Sequence, residues 1–186
     1  MRIISGKNKG KKIIPPVDKN TRPLRDIVKE SIFNLIKHSN KFNFNLENSN
    51  VLDLFSGSGS FGLECISRGA SKVVFVENYN KALNILNKNI LNFQELDFCK
   101  IISKDCFDYI NFDIEKNQRF NLIFLDPPFK EKKINFLINK IKEKKILETN
   151  GIIILHRHKK DNLKITTKIN ILDQRLYGIS KITIGN

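Results

Sequence analysis

The chain has 186 residues, enough for one α/β domain with a buried core and too few for two of ordinary size. Lys and Arg total 33 against 19 Asp and Glu, a formal charge of +14, so a polyanion is the natural partner of its field. No run approaches the ~18 apolar residues of a membrane span, and three cysteines without a C-x-x-C pair offer neither a disulfide framework nor a zinc cluster. A membrane protein and a disulfide-stapled secreted module are therefore excluded. A cytoplasmic monomer with reduced thiols is expected. The lysine excess comes with an excess of Ile and Asn, which compositional drift alone can produce, so charge narrows the partner without naming it.

In chain order, the apolar pairs Ile3-Ile4 and Ile13-Ile14 flank SGKNKGKK, whose glycines and lysines suit a hairpin turn closed by Pro15 and Pro16. TRPLRDIVKESIFNLIKH then predicts a helix capped by Thr21, with Pro23 near its first turn and Val28, Ile32, Leu35 and Ile36 on one face. Residues 1–38 thus read as a small basic hairpin and helix, and residues 39–186 as the main domain. From residue 50 the pattern alternates. An apolar strand from Val51 to Phe55, a glycine loop and a helix through Arg68 precede the strand KVVFVE, at residues 72–77. A helix over KALNILNKNILNF, strands ending at Asp105 and Asp126, a helix over INFLINKIKEKKIL and the strand GIIILH follow. Continuous apolar strands of this kind belong to a parallel sheet covered on both faces. The fold class is α/β, an open doubly wound sheet. The tail reads as a terminal antiparallel hairpin, with Tyr177 and Gly178 at or near its turn.

The stretch VLDLFSGSGSFGLE spells G-x-G-x-x-G at Gly57, Gly59 and Gly62, with Glu77 about twenty residues on. Read literally this is a dinucleotide fingerprint. Both that reading and its rival put glycines at a strand-to-helix turn, where backbone approaches a ligand and a helix N-terminus faces it. The ligand's charge separates them. Asp53 lies four residues before Gly57 in the pattern D-x-F-x-G-x-G, which includes Phe55. A carboxylate there repels an anionic pyrophosphate and attracts the ammonium and sulfonium of S-adenosyl-L-methionine. Glu77 suits the ribose hydroxyls of either adenosine. Asp105 suits the adenine amino group, or the cap of a helix over DCFDYI.

FNLIFLDPPF discriminates further. Asp126, Pro127, Pro128 and Phe129 lie where the fourth strand runs out, and the C-terminal ends of parallel strands are where open sheets bind ligands. Two prolines stiffen the loop and remove two amide donors, leaving acceptors exposed. An exocyclic base amine can give one hydrogen to the Asp126 carboxylate and the other to the Pro127 carbonyl, which turns its lone pair towards the sulfonium methyl. Phe129 would stack on the extracted base.

D-P-P-F, together with DLFSGSGSFGLE, resembles the methyltransferases that act on exocyclic amino groups. More narrowly, the N-terminal MRIISGKNKGKKI, RPLRDIVKESIFN at residues 22–34 and the terminal YGISKITI resemble the bacterial 16S rRNA guanine-N2 methyltransferase family (RsmD-like). The likeness runs in the same order over essentially the whole chain. It implies a Rossmann-like seven-stranded methyltransferase sheet with an antiparallel final strand, S-adenosyl-L-methionine as cofactor and a guanine of 16S rRNA as substrate. That rRNA would be met in the small ribosomal subunit or an assembly intermediate. Position by position, the family's cofactor loop matches Asp53, Gly57 and Gly59, its ribose acid Glu77, and its catalytic motif Asp126 to Phe129. Two positions depart: Leu24 stands where the family usually has Thr, and His156 where members often have Glu.

Arg2, Lys7, Lys9, Lys11, Lys12, Arg22 and Arg25 crowd the N-terminal segment and would grip RNA phosphates, and Lys130 beside the D-P-P-F loop would meet a flanking one. HRHK at residues 156–159 lacks a third metal ligand, so no metal is expected. None of the cysteines lies in the catalytic stretch, which argues against a thiolate route to cytosine C5. Adenine-N6 methylation of DNA or RNA remains the chemical alternative. An NAD-binding oxidoreductase and a non-catalytic RNA-binding module are the alternatives of other classes.

Overall fold

A computed structural model describes residues 1–16, 24–161, 164–165 and 169–186. The apolar runs become β1 (Asn50–Leu54), β2 (Lys72–Glu77), β3 (Cys99–Ser103), β4 (Phe120–Leu125), β5 (Leu147–His158), β6 (Ile171–Tyr177) and β7 (Ser180–Gly185). They form one seven-stranded sheet in the order β3-β2-β1-β4-β5-β7-β6. β1 to β5 are parallel, and β7 runs antiparallel to both β5 and β6. This is the α/β sheet with an antiparallel terminal hairpin expected from the alternation.

Helices α1 (Asp26–His38), α2 (Ser60–Ser67), α3 (Asn80–Phe93), α4 (Cys106–Asp108) and α5 (Ile134–Glu143) cover the sheet. Strand alternation sorts the core into two layers, because successive side chains point to opposite faces. Val51, Phe75, Phe124, Ile154 and Ile182 pack in one layer with Val28, Ile32 and Phe33 of α1 and with Leu63 of α2. Leu52, Val76, Ile123 and Leu155 pack in the other, against Ile134, Leu137 and Ile141 of α5.

The parity continues past the apolar residues. Asp53, Glu77, Asp126, His156 and Ser180 occupy the register of the first layer, at or just beyond the strand ends. Polar residues that end these strands are therefore delivered to one side of the sheet by spacing alone.

The N-terminal segment packs on that same layer. Arg2 and Lys12 form an antiparallel bridge, and Ile3 and Ile13 are buried in the core. Glu64 of α2, fully buried, accepts from the amides of Ile4 and Ser5 at 2.7 and 3.0 Å and pairs with Arg68 at 2.6 Å and Lys29 at 3.5 Å. Burial pushes the Lys29 ammonium down from its ordinary pKa, and the charges of Glu64 and Asp26 oppose that shift. Asn89 of α3 exchanges hydrogen bonds with both backbone groups of Ile14 and donates to the Ser58 carbonyl of the glycine loop at 2.9 Å. The basic segment is thereby tied to the loop that the sequence assigns to the cofactor.

Three boundaries differ from expectation. α1 begins at Asp26 with Arg25 in the capping position. Thr21, Arg22 and Pro23 themselves lie outside the described residues. Lys29 and Phe33 join the buried face of α1, and Leu35 packs against the core half-buried. α5 ends at Glu143 instead of running on through the lysines, because Lys145 turns to a left-handed φ of 53° and β5 starts at Leu147.

Gly62 is a packing residue: a Cβ there would lie 2.3 Å from Cε1 of the buried Phe75 ring and 2.8 Å from Cγ1 of Val73. Gly62→Ala is expected to destabilise the protein by about 1–3 kcal/mol, the usual cost of overpacking a rigid core, as read by urea denaturation.

Candidate active site

The β1–α2 turn is built from backbone that few residues tolerate. Phe55 has φ 62°, Gly57 56° and Gly59 79°. The two glycines adopt this left-handed region without steric penalty, whereas Phe55 holds it at some cost in strain. A Cβ on Gly59 would lie 2.5 Å from Leu86 Cδ1, so the loop also lies flat against α3.

Two carboxylates hold the turn. Asp53 accepts from the Gly62 amide at 3.0 Å, and Glu77 accepts from the Gly57 amide at 2.7 Å. The other oxygen of Glu77 accepts from the amides of Asn78 and Tyr79, at 3.0 and 2.9 Å. Glu77 is thus an oriented group at the mouth of the crevice and not a freely solvated strand-end acid. Asp105 caps α4 through the Phe107 amide at 2.8 Å and accepts from the Asn78 side chain at 3.0 Å. Its carboxylate works as the cap anticipated for DCFDYI, and an adenine amine would have to share it. Phe55 meets Phe107 edge to face, with ring centroids 6.4 Å apart.

Asp53 is 1% exposed. Burial pushes its carboxyl well above the ordinary carboxylate range, the Gly62 amide opposes the shift, and the charges of Asp126 and Glu77 add to it. The charges of Asp126 and Glu77 therefore act on Asp53 from the same sheet face, and a cation there would ease its ionisation where a pyrophosphate would oppose it. Ser60, at the start of α2, has a buried hydroxyl with no hydrogen-bond partner. Native proteins seldom leave such a group unpaired without a ligand or water to serve it. These features fit a cofactor with a cationic amino-acid end.

The D-P-P-F loop leaves β4 beside this cluster. The Asp126 amide donates to Leu54 O at 3.4 Å, continuing the β1–β4 ladder. One carboxylate oxygen of Asp126 meets Nδ1 of His156 at 2.8 Å, and Nε2 of the same ring meets Ser180 Oγ at 2.8 Å. Pro127 is buried, while Phe129 presents 42% of its surface and touches His158 edge to face at 5.3 Å between centroids. Arg157, 3% exposed, donates to the carbonyls of Pro128 and Phe129 at 3.0 Å and of Glu131 at 3.1 Å. In the sequence His156 stood out as a departure and as part of a faint metal pattern, and Arg157 carried no signal of its own. Counting by twos from Ile152 and Ile154 would have placed His156 on the face of Asp126.

Arg2, Lys9, Lys11, Lys12 and Arg25 are exposed, as is Lys130 beyond the loop. Lys7 is already engaged: it pairs with Glu95 at 2.9 Å and lies 4.6 Å above the Phe98 ring. Lys11 lies 5.3 Å from the Phe93 ring centroid. Burial raises all three thiols, Cys99 to about 12 and Cys65 and Cys106 strongly as well, so none is a ready thiolate. Among the described residues no group of three His, Cys, Asp or Glu could hold a metal ion, and no helix is long and apolar enough to cross a membrane.

The sheet order, the antiparallel β7, the glycine turn with its acids and the D-P-P-F strand end together define a class I S-adenosyl-L-methionine-dependent methyltransferase. Comparison with known proteins narrows the class. The model of the family described as Conserved hypothetical protein 95 matches residues 1–186, and the chain belongs to this family, the RsmD-like methyltransferases. Ribosomal RNA small subunit methyltransferase D of Haemophilus influenzae is 30% identical over 180 residues, 96% of this chain and 90% of that protein. A candidate rRNA methyltransferase of Bacillus subtilis is 32% identical over 185 residues, 99% and 97% of the two chains. A solved structure of a candidate methylase from Haemophilus influenzae superposes with a TM-score of 0.76 at 30% identity, covering 99% of this chain and 96% of that one.

Asp53→Asn keeps an acceptor for Gly62 and removes the charge. Because the folded state holds the Asp53 proton more tightly than the unfolded chain, wild-type stability falls as pH rises from ~4 towards the raised pKa. Urea titrations of the cofactor-free protein should show the variant's relative stability growing with pH. Calorimetry should show S-adenosyl-L-methionine binding about tenfold or more weakly, equivalent to ~1.4 kcal/mol or more.

Proposed function

We propose that this protein transfers a methyl group from S-adenosyl-L-methionine to the exocyclic N2 amine of a guanine in 16S rRNA. The cofactor supplies an activated methyl on a sulfonium. Asp53, Phe55, Gly57, Gly59, Glu77 and Asp105 would hold it: Glu77 on the ribose, the glycine turn along the amino-acid end, and Asp105 with Phe107 towards the adenine. The observation that carries the reading is the strand end at Asp126. One carboxylate oxygen is restrained by His156, and no other hydrogen bond engages that side chain among the described residues. The second oxygen and the Pro127 carbonyl can then accept the two hydrogens of an amine, while the exposed Phe129 ring stacks on its base. Removing hydrogen-bond competition from the nitrogen lone pair aims it at the methyl. No covalent intermediate is needed.

Residues 1–38 act in this proposal as the RNA-facing element and residues 39–186 as the methyltransferase domain. Arg2, Lys9, Lys11, Lys12, Arg22, Arg25 and Lys130 would contact phosphates, with Lys7 contributing from its place beside Glu95. The glycine loop supports that role, since Asn89 couples it to Ile14 at the end of the basic segment. The names of the relatives support small-subunit rRNA as the substrate. Work in the cytoplasm as a monomer, on the subunit or an assembly intermediate, completes the proposal.

Radiolabelled methyl transfer to rRNA from cells lacking the enzyme, followed by nucleoside analysis, should yield N2-methylguanosine. N6-methyladenosine would move the assignment to adenine, and no labelled rRNA would overturn it. Asp126→Ala should lower turnover by about 10²-fold or more, a loss typical of one transition-state contact, with cofactor affinity largely kept. In a separate filter-binding series, changing Lys9, Lys11 and Lys12 together to Ala should weaken RNA binding. It should also reduce the slope of log affinity against log salt by about 2, at ~0.7 per phosphate contact on single strands. An unchanged slope would remove the basic segment from the interface.

A further inference from the structure

The tripeptide His156-Arg157-His158 looks, in sequence, like two-thirds of a metal site. In the structure all three side chains meet the D-P-P-F loop instead. We propose that the end of β5 is the positioning element of the methyl-transfer loop, with His156 setting the Asp126 carboxylate and Arg157 clamping the carbonyls that follow it. This rests on the reading of Asp126 as acceptor of the amine.

Neighbouring residues of a strand point to opposite faces, so His156 and Arg157 hold the loop from two sides. Asp126 stands beside His156, one step past the Leu125–Leu155 pairing of β4 with β5. A carboxylate accepts, so Nδ1 carries a proton towards Asp126, and in the neutral ring Nε2 accepts from the Ser180 hydroxyl of β7. The ring is fixed at both ends and itself 7% exposed. Asp126 can therefore neither swing away nor turn both oxygens to water.

Arg157 answers a different need. Pro127 and Pro128 carry no amide hydrogen, and the loop's own turn, in which the Glu131 amide donates to the Pro128 carbonyl at 2.9 Å, provides a donor for that carbonyl alone. The guanidinium supplies a planar fork of donors to the carbonyls of Pro128, Phe129 and Glu131, and its Nε pairs with Asp161. Asp161 is held in turn by its own amide on the His158 carbonyl, at 2.9 Å. His158 adds the edge contact to the Phe129 ring. A lysine offers one point charge in place of this fork and cannot reach three carbonyls at once. A buried cation with this many partners costs little while they are present and much if they are lost, so the loop conformation and the arginine specify each other.

The test uses the full chain. Nitrogen-15 NMR of labelled histidines should show His156 with its proton on Nδ1, and Asp126→Asn should weaken that preference; a ring protonated mainly on Nε2 in the wild type overturns the proposal. In steady-state methylation of rRNA, His156→Leu should lower kcat about tenfold or more, the value of one hydrogen bond to a charged group. The dissociation constant for S-adenosyl-L-methionine and the KM for RNA should stay within about twofold. His156→Asn, which keeps a donor near the Nδ1 position, should recover most of the lost kcat. Arg157→Lys should likewise lower kcat with cofactor affinity kept. Parallel losses in kcat, cofactor affinity and melting temperature without recovery by Asn, or unchanged kcat in both His156→Leu and Arg157→Lys, would reduce β5 to a structural strand. Should His156→Leu not fold, Ser180→Ala loosens the far end of the ring, and unchanged tautomer and kcat there would also count against the idea. A wild type that binds the cofactor and methylates no RNA would instead sink the reading of Asp126, a result separate from the tautomer measurement.

Discussion

A buried acid with few ways to be satisfied governs this structure. Asp53, almost wholly removed from water in β1, finds the Gly62 amide of α2 and, among the described residues, no cation of its own. For that amide to reach it, the chain must leave the strand through left-handed Gly57 and Gly59 and set α2 close against Phe75, where a side chain at Gly62 would collide. The acid, the turn and the helix contact are one constraint. It leaves an acid whose ionisation is disfavoured by burial and by the charges of Glu77 and Asp126, and a cation at the strand ends would favour that ionisation.

The basic N-terminal segment is fastened to the same region by a second buried acid. Glu64 gathers the amides of Ile4 and Ser5 with Lys29 and Arg68, and Asn89 carries the connection from Ile14 to Ser58. The element proposed to meet RNA and the loop proposed to meet cofactor are thus joined by one hydrogen-bonded frame. Substrate and methyl donor can be brought to one place without a long hinge between them. The cost is a cluster of buried polar groups that only function explains well, since an apolar contact would hold the segment with less desolvation.

Much of this was legible in the residues. Short apolar runs separated by helical periods specify a parallel sheet because strands covered on both faces have no place for water. A carboxylate before a glycine turn limits the ligand's charge, and two prolines after a strand-end acid limit the loop's hydrogen bonding, so the chemistry could be read from VLDLFSGSGSFGLE and DPPF before any coordinates. Even the common face of Asp53, Glu77, Asp126 and His156 follows from counting by twos.

Other features depended on distance in the chain. Local sequence cannot tell where tertiary packing lets a helix begin, and α1 starts at Asp26 with Arg25 in the capping position. The lysines after α5 had helical propensity, yet β5 claimed Leu147 for the sheet. Arg157 and His156 looked like surface or metal residues because their partners, 26 to 30 residues away on another strand end, are brought near only by the β4–β5 pairing. Sequence by itself determined the kind of sheet and the cofactor class, since both depend on residue type and short spacing. Tertiary structure alone decided which side chains hold that loop still, because hydrogen-bond partners are chosen by proximity in space.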